Sequence, residues 1–286
     1  RATLSKKGDR PHTLVMSATP IPRTLALMVY GDLDVSILDE LPPGRQPIET
    51  YCVGGKLRTR AFNYVKKHLD EGRQGYIVCP LVEDGDSTDI AAAESYAENL
   101  SKGFFSGYEV GLLNGKMKPK QKEEVMSRFV SGEIKLLVST TVIEVGVDVP
   151  NAVIMVIENA ERFGLSQLHQ LRGRIGRGKY KSTCILITDA KTDGAKKRMD
   201  VMTKTTDGFK IADEDLKMRG PGDFFGARQH GLPNMKMASL TDSALLTEAH
   251  RFAREILEND YTLQKPENQN LSKAIYDLFN SEYIMN

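Results

Sequence analysis

An octapeptide that begins at Gln170 has the residue types and spacing best suited to phosphate chemistry. It reads Gln-Leu-Arg-Gly-Arg-Ile-Gly-Arg, so that Arg174 and Arg177 stand three residues apart and each follows a glycine. Glycine lets the backbone approach a ligand closely, and the planar fork of arginine matches phosphate oxygens. The pattern predicts two guanidinium groups on a polyphosphate, where they stabilise the charge that develops during phosphoryl transfer. A solvated basic loop, or one that touches a nucleic-acid backbone, is the alternative.

Two further segments carry polar residues directly after apolar runs. Ser17 and Thr19 follow the first run, and hydroxyls there can relay hydrogen bonds from a phosphate to a second site. Thr140 and Thr141 follow the second run and are candidates for phosphate or nucleic-acid contacts, while Asp148 is a candidate acceptor for a ribose hydroxyl. Turn residues and a helix N-cap at Thr140 are the structural alternatives.

Composition limits the classes of protein to which this chain can belong. Its 286 residues suffice for about two domains, and 27% charged residues is typical of globular proteins. The net charge of +1 gives no general attraction to nucleic acid, so any basic surface must be local. Three scattered cysteines without a CxxC pair argue against a disulfide framework or a zinc site, and favour a reducing, cytoplasmic location.

The termini and the apolar runs set further limits. No run reaches the roughly 18 apolar residues of a membrane span, so we expect no membrane partner. The chain shows no signal peptide and opens on Arg1 without a methionine. We therefore expect a fragment of a longer protein.

Apolar runs and helical patterns alternate along most of the chain. Three prolines and a glycine within residues 41–47 predict a linker and a domain boundary. Beyond it, continuous apolar strands separated by helices indicate a parallel sheet covered on both faces, in which ligands bind at the carboxyl ends of the strands. The predicted strands are 13–17, 75–80, 108–113, 134–139, 152–157 and 183–188. The predicted helices are 58–70, 88–102, 120–131, 165–171, 191–203, 207–218, 239–258 and 271–279.

The order of the three motifs resembles a known pattern. Ser-Ala-Thr-Pro comes first, Ser-Thr-Thr with Gly-Val-Asp-Val-Pro second, and the arginine octapeptide third. This order resembles motifs III, V and VI of superfamily-2 helicases, in which two RecA-like domains sandwich ATP and the second supplies arginine fingers. Pieces between residues 207 and 231 resemble the TRG motif, and the run over 17–45 is similar to the RecG family.

The resemblance covers essentially the whole chain and implies its organisation. Residues 1–44 would end the first RecA-like domain, residues 45–190 would form the second, and residues 191–286 would form a helical TRG hairpin with C-terminal helices. The implied fold class is α/β, with a RecA-like parallel sheet followed by a mainly helical region. The implied activity is ATP-dependent translocation on double-stranded DNA that remodels branched structures, as in Holliday junction migration and fork reversal during recombination and repair.

Roles for particular residues come from the same resemblance. Arg174 and Arg177 would lie at the ATP phosphates, with Gln170 at the domain interface. Gly146 and Asp148 would lie near the nucleotide. The residues expected to couple hydrolysis to movement are Ser17, Thr19, Arg198, Arg219 and Gln229. The residues expected to contact DNA are Thr140, Thr141, Lys204, Lys210, Lys217 and Arg228, although most such lysines are simply solvated.

The sequence lacks half of a nucleotide site. No GxxxxGK[ST] phosphate loop occurs, so the ligands of Mg²⁺ are expected in an N-terminal portion outside this chain. Asp39 and Glu40 resemble a Walker B strand, but they follow motif III instead of preceding it, and we reject them as metal ligands. Residues 84–89 lack the glycine and glutamate of a calcium loop. No metal site is therefore predicted, and the chain alone should not hydrolyse ATP.

The resemblance also implies binding partners, and two other functional classes remain as alternatives. Partners would be forks and Holliday junctions, the missing wedge and first RecA-like domain, and, as a candidate, single-stranded-DNA-binding protein. A translocase of the transcription-repair coupling factor type would show an RNA-polymerase-binding region elsewhere. A non-catalytic DNA-binding regulatory module would have no need for intact Arg174, Arg177 and Asp148.

Overall fold

A parallel sheet forms the centre of the protein. The structure is a computed structural model that describes residues 14, 16, 17, 36–38, 40, 42, 45–80, 87–140, 148–219 and 243–281. The strands are β1 Ile48–Val53, β2 Gln74–Val78, β3 Val110–Leu113, β4 Leu136–Ser139, β5 Ala152–Ile157 and β6 Ser182–Ile187. Their order across the sheet is β1-β6-β5-β2-β4-β3, and every neighbouring pair is parallel. The predicted parallel sheet is confirmed.

Eight α-helices connect and follow these strands in the described part of the chain. They are α1 Arg58–Asp70, α2 Ser87–Lys102, α3 Pro119–Val130, α4 Leu165–Arg172, α5 Asp193–Lys204, α6 Gly208–Arg219, α7 Ser243–Asn259 and α8 Gln269–Ser281. Most bounds lie within two residues of the prediction; α3, for example, begins at Pro119, since the fixed φ of proline suits the first helical position. The prediction of α7 began at residue 239, and residues 239–242 lie outside the described ones. Of the predicted strand over 13–17, residues 13 and 15 lie outside the described ones, and residues 14, 16 and 17 are not part of a strand.

One strand was missed by the sequence analysis. β1 is an edge strand whose residues are all exposed or half-buried, and it contains Glu49 and Thr50. It therefore lacks the continuous apolar run that marks β4 and β5, all of whose residues are buried. Its pairing with β6 holds it in place, from Ile48 opposite Ser182 to Val53 opposite Ile187.

The two faces of the sheet have separate apolar cores. α1 and α2 pack on one face, where Phe62 and Leu100 join a cluster with Ile77. α3, α4, α5 and α6 pack on the other, where Phe129 and Leu168 join a cluster with neighbours of Ile77 in β2. Successive residues of β2 thus point to opposite cores, as the pleat of a strand requires. The predicted arrangement with helices on both faces is confirmed.

A buried carboxylate ties the first two helices to the middle of the sheet. Glu158 directly follows β5 and is 2% exposed. It accepts hydrogen bonds from Arg58 Nε and Nη2, at 3.2 and 2.5 Å, and from the Tyr96 hydroxyl at 2.8 Å. These bonds raise the pKa of Arg58 and, with burial, that of Tyr96. The network fixes α1 and α2 at the carboxyl edge of the sheet.

A buried arginine performs the same task on the other face. Arg172 ends α4 and is 2% exposed. Its Nη1 donates to the carbonyls of Met202 and Thr205, at 2.8 and 3.0 Å, and to Thr50 Oγ1 at 3.3 Å. The two carbonyls belong to the C-terminal end of α5, where a cation meets unpaired acceptors and the negative end of the helix dipole. Arg172 therefore joins α4, α5 and β1.

Replacing Arg172 by methionine should destabilise the chain. The substitution leaves the Met202 and Thr205 carbonyls without their buried donor, and unpaired buried acceptors cost about 1–3 kcal/mol. Urea unfolding should show a loss of that size for Arg172→Met. Arg60→Met, on an exposed position of α1, should change the free energy of unfolding by less than about 0.5 kcal/mol. Equal, small effects for both variants would contradict the role assigned to Arg172.

Candidate functional site

The loop after α4 has a fixed backbone. Ile175 is fully buried and anchors the loop in the core. Gly176 has a φ of +73°, and a Cβ there would lie 2.8 Å from Ile48 Cγ1. At Gly178 a Cβ would collide with the carbonyl oxygen of Pro150. Glycine is therefore required at both positions, and the loop presents its arginines in one defined place.

Three guanidinium groups and one carboxylate meet beside this loop. Arg177 Nε lies 3.8 Å from Asp148 Oδ1 and donates to the Gly173 carbonyl at 3.2 Å. Arg45, three residues before β1, donates from Nη2 to the same carbonyl at 3.0 Å. Arg174 completes the group, which we call the arginine cluster: Arg45, Arg174, Arg177 and Asp148.

The charges of the arginine cluster influence one another. Burial lowers the pKa of Arg174, and the charge of Arg177 lowers it further. Burial and the charge of Arg177 also lower the pKa of Arg45, while the charge of Asp148 raises it. Burial raises the pKa of Tyr76 in β2, against the effects of Arg174 and Arg177. Among the described residues Asp148 lies beside Arg177 and acts on Arg45 as well, so two cations face one carboxylate, and their excess charge favours an anion as ligand.

The cluster lies at the amino edge of the sheet. Arg45 precedes β1, Asp148 precedes β5, and the loop with Arg174 and Arg177 leads into β6. The general rule that places ligands at the carboxyl ends of the strands therefore does not describe where these residues lie. The reason is the path of α4, which starts beyond the carboxyl end of β5 and returns the chain to the amino end of β6.

The remaining residues assigned to the nucleotide are only partly described. Gln170 is half-buried on α4, and its carbonyl oxygen would lie 3.3 Å from a Cβ at Gly173. Gly146 lies outside the described residues. In the described part of the chain no group of three or more His, Cys, Asp or Glu side chains is arranged to hold a metal ion.

Thr140 lies at the opposite edge from the arginine cluster. It directly follows β4, and its N–H donates to the Leu113 carbonyl at 3.2 Å. It is 4% exposed, and its Oγ1 has no hydrogen-bond partner among the described residues. The structure therefore separates Thr140 from Asp148. Thr141 lies outside the described residues.

Arg198 connects α5 to the carboxyl edge of the sheet. Its Nη2 donates to the Glu161 carbonyl at 2.8 Å, in the turn after β5. Its Nε, like Glu161 Oε2, is buried without a partner among the residues that the structure describes. Of the other residues assigned to coupling, Ser17 is exposed, and Arg219 ends α6 with its side chain outside the description. Thr19 and Gln229 lie outside the described residues.

The candidate DNA-contacting lysines differ in their surroundings. Lys204 pairs with Asp200, and Lys217 with Glu214, both at 2.7 Å and each on its own helix. The hydrogen bond that Lys217 donates to Glu214 raises the pKa of Lys217. Exposed pairs of this kind contribute little stability, so they leave the lysines available to phosphate. Lys210 is exposed, and Arg228 lies outside the described residues.

Three residues of this region were not found from the sequence. Arg172 lies in the arginine octapeptide and looks like its neighbours, yet its side chain is buried. Arg45 follows a proline-rich segment that gave no sign of a site. Glu158 follows an apolar strand, as many turn residues do. Only the fold brings Arg45 to the loop after α4, because the two are far apart in sequence.

Known proteins share both the sequence and the fold of this chain. Residues 60–179 match the helicase conserved C-terminal domain, and residues 205–282 match ATP-dependent DNA helicase RecG, domain 3, C-terminal. The ATP-dependent DNA helicase RecG of Synechocystis is 49% identical over 265 residues, covering 92% of this chain and 32% of the relative. The RecG of Bacillus subtilis is 48% identical over 268 residues, covering 93% and 39%.

A solved structure extends the match to three dimensions. A structure of RecG bound to a three-way DNA junction superposes with a TM-score of 0.67 at 48% identity, covering 84% of this chain and 31% of that one. The fold is that of a helicase C-terminal domain with a RecA-like parallel sheet, followed by a helical region. The chain belongs to the RecG family, and it spans between about a third and two fifths of the relatives' length. None of the described helices is long and apolar enough to cross a membrane.

His169 should make the stability of this chain depend on pH. Burial, followed by the charges of Arg172 and Arg45, lowers its pKa to about 4. Between about pH 6.5 and pH 4 the unfolded chain binds a proton at this residue and the folded chain does not. The folded state therefore loses stability as pH falls through this range.

Replacing His169 by glutamine tests this dependence. Urea unfolding at pH 7 and pH 5 should show a decrease in stability that is smaller in His169→Gln than in the wild type, by roughly 1–2 kcal/mol. Both proteins also carry the carboxylates common to the whole chain, so the difference between them isolates the histidine. Parallel decreases would contradict a neutral, buried His169.

Proposed function

We propose that this chain is the C-terminal motor half of an ATP-dependent double-stranded-DNA translocase that remodels branched DNA. The observation that carries the proposal is the arginine cluster, which gathers three arginines at a loop fixed by two required glycines. Its residues fit a polyphosphate, because guanidinium groups pair with phosphate oxygens in two-pronged geometry. The RecG name of the relatives and the RecG bound to a three-way junction support the choice of substrate.

Each residue of the site receives a role in this proposal. Arg174 and Arg177 bind the phosphates of ATP and stabilise the charge that develops during hydrolysis. Asp148 holds Arg177 in its half-exposed position and accepts from the ribose, with Gly146 beside it. Gln170 lies at the interface with the first RecA-like domain, which holds Mg²⁺ and the phosphate loop. We place the ends of the second RecA-like domain at residues 45 and 190.

The carboxyl edge of the sheet would serve DNA and coupling. The unsatisfied hydroxyl of Thr140 is a donor for a DNA phosphate, together with Thr141. Lys204, Lys210, Lys217 and Arg228 would contact the backbone without reading sequence. Arg198 ties α5 to the turn after β5, so that a shift of this turn moves the helices behind it. Ser17, Thr19, Arg219 and Gln229 would take part in the same coupling.

The match to domain 3 of RecG separates the proposal from its nearest alternative. A translocase of the coupling-factor type shares the TRG-like residues, but the match over residues 205–282 is to RecG. A cytoplasmic bacterial protein that acts on forks and Holliday junctions is therefore the function that we propose.

The isolated chain should not hydrolyse ATP. It lacks the phosphate loop and its lysine, which supply half of the phosphate contacts in this class of site. Purified chain with Mg²⁺, ATP and a four-way junction should release phosphate at the rate of a buffer blank. Robust turnover that co-purifies with the chain would contradict the proposed half-site.

Arg177→Ala in the full-length protein should abolish ATP turnover and leave junction binding intact. Removal of one arginine finger lowers turnover by about 10³–10⁵, whereas the DNA contacts lie elsewhere in this proposal. The wild type, assayed with linear duplex, a fork and a four-way junction at matched salt, should turn over ATP faster on branched DNA. Equal loss of turnover and binding in the variant would indicate a folding role for Arg177.

Gln229→Ala in the full-length protein should impair unwinding more than ATP turnover. If Gln229 connects the helical hairpin to the motor, its loss leaves the nucleotide site unchanged. Fork unwinding and phosphate release measured on the same preparation test this separation. Parallel loss of both activities would contradict the coupling role.

A further inference from the structure

One arginine, Arg45, joins the arginine cluster from outside the octapeptide. Arg45 is half-buried, and its backbone N–H donates to the Pro42 carbonyl at 3.2 Å, which turns the chain just before β1. Its Nη2 donates to the Gly173 carbonyl at 3.0 Å. A segment expected to be only a linker thus reaches the loop that follows α4.

Arg45 and Arg177 share one acceptor. Arg177 Nε donates to the same Gly173 oxygen at 3.2 Å, so both guanidinium groups lie within hydrogen-bonding reach of a single atom. Gly173 caps the C-terminal end of α4, where carbonyls lack helical donors and carry the negative end of the dipole. This oxygen brings together two cations that otherwise repel each other.

The repulsion is only partly compensated. Burial lowers the pKa of Arg45, and the charge of Arg177 lowers it further, while the charge of Asp148 opposes the shift. Asp148 is more than half exposed and lies 3.8 Å from Arg177. Among the described residues, one exposed carboxylate and one carbonyl dipole face the charges of Arg45 and Arg177, which leaves an excess of positive charge on this pair. A multiply charged anion would neutralise this excess, and a single phosphate oxygen can accept from two guanidinium groups at once.

We propose that Arg45 is a third phosphate-binding arginine of the nucleotide site. The inference rests on the function proposed above and extends it. Arg45 binds a nucleoside triphosphate through its charge, and the hydrogen bond to Gly173 holds it ready beside Arg177. The segment before β1 thereby becomes part of the site.

The competing interpretation is an anchor. In that case the Arg45 side chain serves only to fasten residues 42–47 to the end of α4, and its charge is irrelevant. The two interpretations differ in which substitution is tolerated. Lysine keeps the charge and loses the fork, whereas glutamine keeps a donor for the Gly173 carbonyl and loses the charge.

The test uses the full-length protein and a binding assay without turnover. Wild type, Arg45→Lys, Arg45→Gln and the control Arg60→Gln are titrated with fluorescent, non-hydrolysable analogues of ATP and with the matching ADP analogue. Arg60 is exposed on α1, so its substitution removes a charge without touching the cluster. Thermal unfolding of each variant reports on folding, and the comparison of ATP with ADP in one variant does not depend on the fraction folded.

We expect Arg45→Gln to weaken binding of the ATP analogue by about tenfold or more, as for the loss of one charge-assisted hydrogen bond. Arg45→Lys should stay within about threefold of the wild type, and Arg60→Gln should match the wild type. The loss in Arg45→Gln should be smaller for ADP than for ATP, and the salt dependence of binding should become weaker.

Several outcomes would overturn the proposal. Wild-type affinity in Arg45→Gln would show that the charge is not used. Equal losses in Arg45→Lys and Arg45→Gln, or equal losses for ATP and ADP, would assign Arg45 to anchoring. A wild-type protein that binds no ATP analogue would contradict the proposed function itself, and this inference with it; that result differs from a wild type that binds and a variant that binds equally well.

Discussion

The packing of α4 on the sheet is the constraint on which the site depends. Leu165, Leu168 and Leu171 are fully buried along one side of this short helix, and Ile175 is buried in the loop that follows. Interiors of this density do not tolerate displacement of such side chains. The apolar contacts therefore determine where the Gly173 carbonyl lies, and that oxygen in turn gathers two arginines. The charged site is a consequence of apolar packing several residues away.

Two arginines near the end of α4 have different roles. Arg172 is buried and donates hydrogen bonds to the end of α5 and to β1. Arg177, in contrast, is half exposed beside Asp148. Burial lowers the pKa of Arg172, yet its guanidinium group donates to three acceptors. One arginine thus joins the helical region to the sheet, and the other faces a ligand. Folding and function are connected over a few residues of chain.

Much of this fold could be predicted from the sequence, because strands buried on both faces are apolar throughout. β4 and β5 are of this kind, and α1 was predicted with its observed bounds. β1 was missed because an edge strand needs apolar residues at alternate positions only. The amino-edge location of the cluster was not predicted, since the rule for strand ends does not include the return path of α4. Arg45 could not be found, because no local pattern records a contact between distant segments.

Some residues of the site could also be recognised from the sequence, and others could not. Gly176 in the octapeptide stood out, and its positive φ and its contact with Ile48 explain why glycine is needed there. The difference between Arg172 and its neighbours did not stand out, because burial is a property of the packed molecule. Composition and spacing indicate which chemistry a segment can perform, and the tertiary fold decides which of its side chains are available for it.

The central claim is that the arginine cluster at the amino edge of the sheet is half of a nucleotide site. The most direct measurement is a structure of the full-length protein with a non-hydrolysable ATP analogue, Mg²⁺ and a DNA fork. We predict the guanidinium groups of Arg174 and Arg177 within hydrogen-bonding distance of the phosphate oxygens, with Asp148 on the side of the ribose. Nucleotide bound at the carboxyl edge, or these two arginines bound to the DNA backbone, would contradict the account.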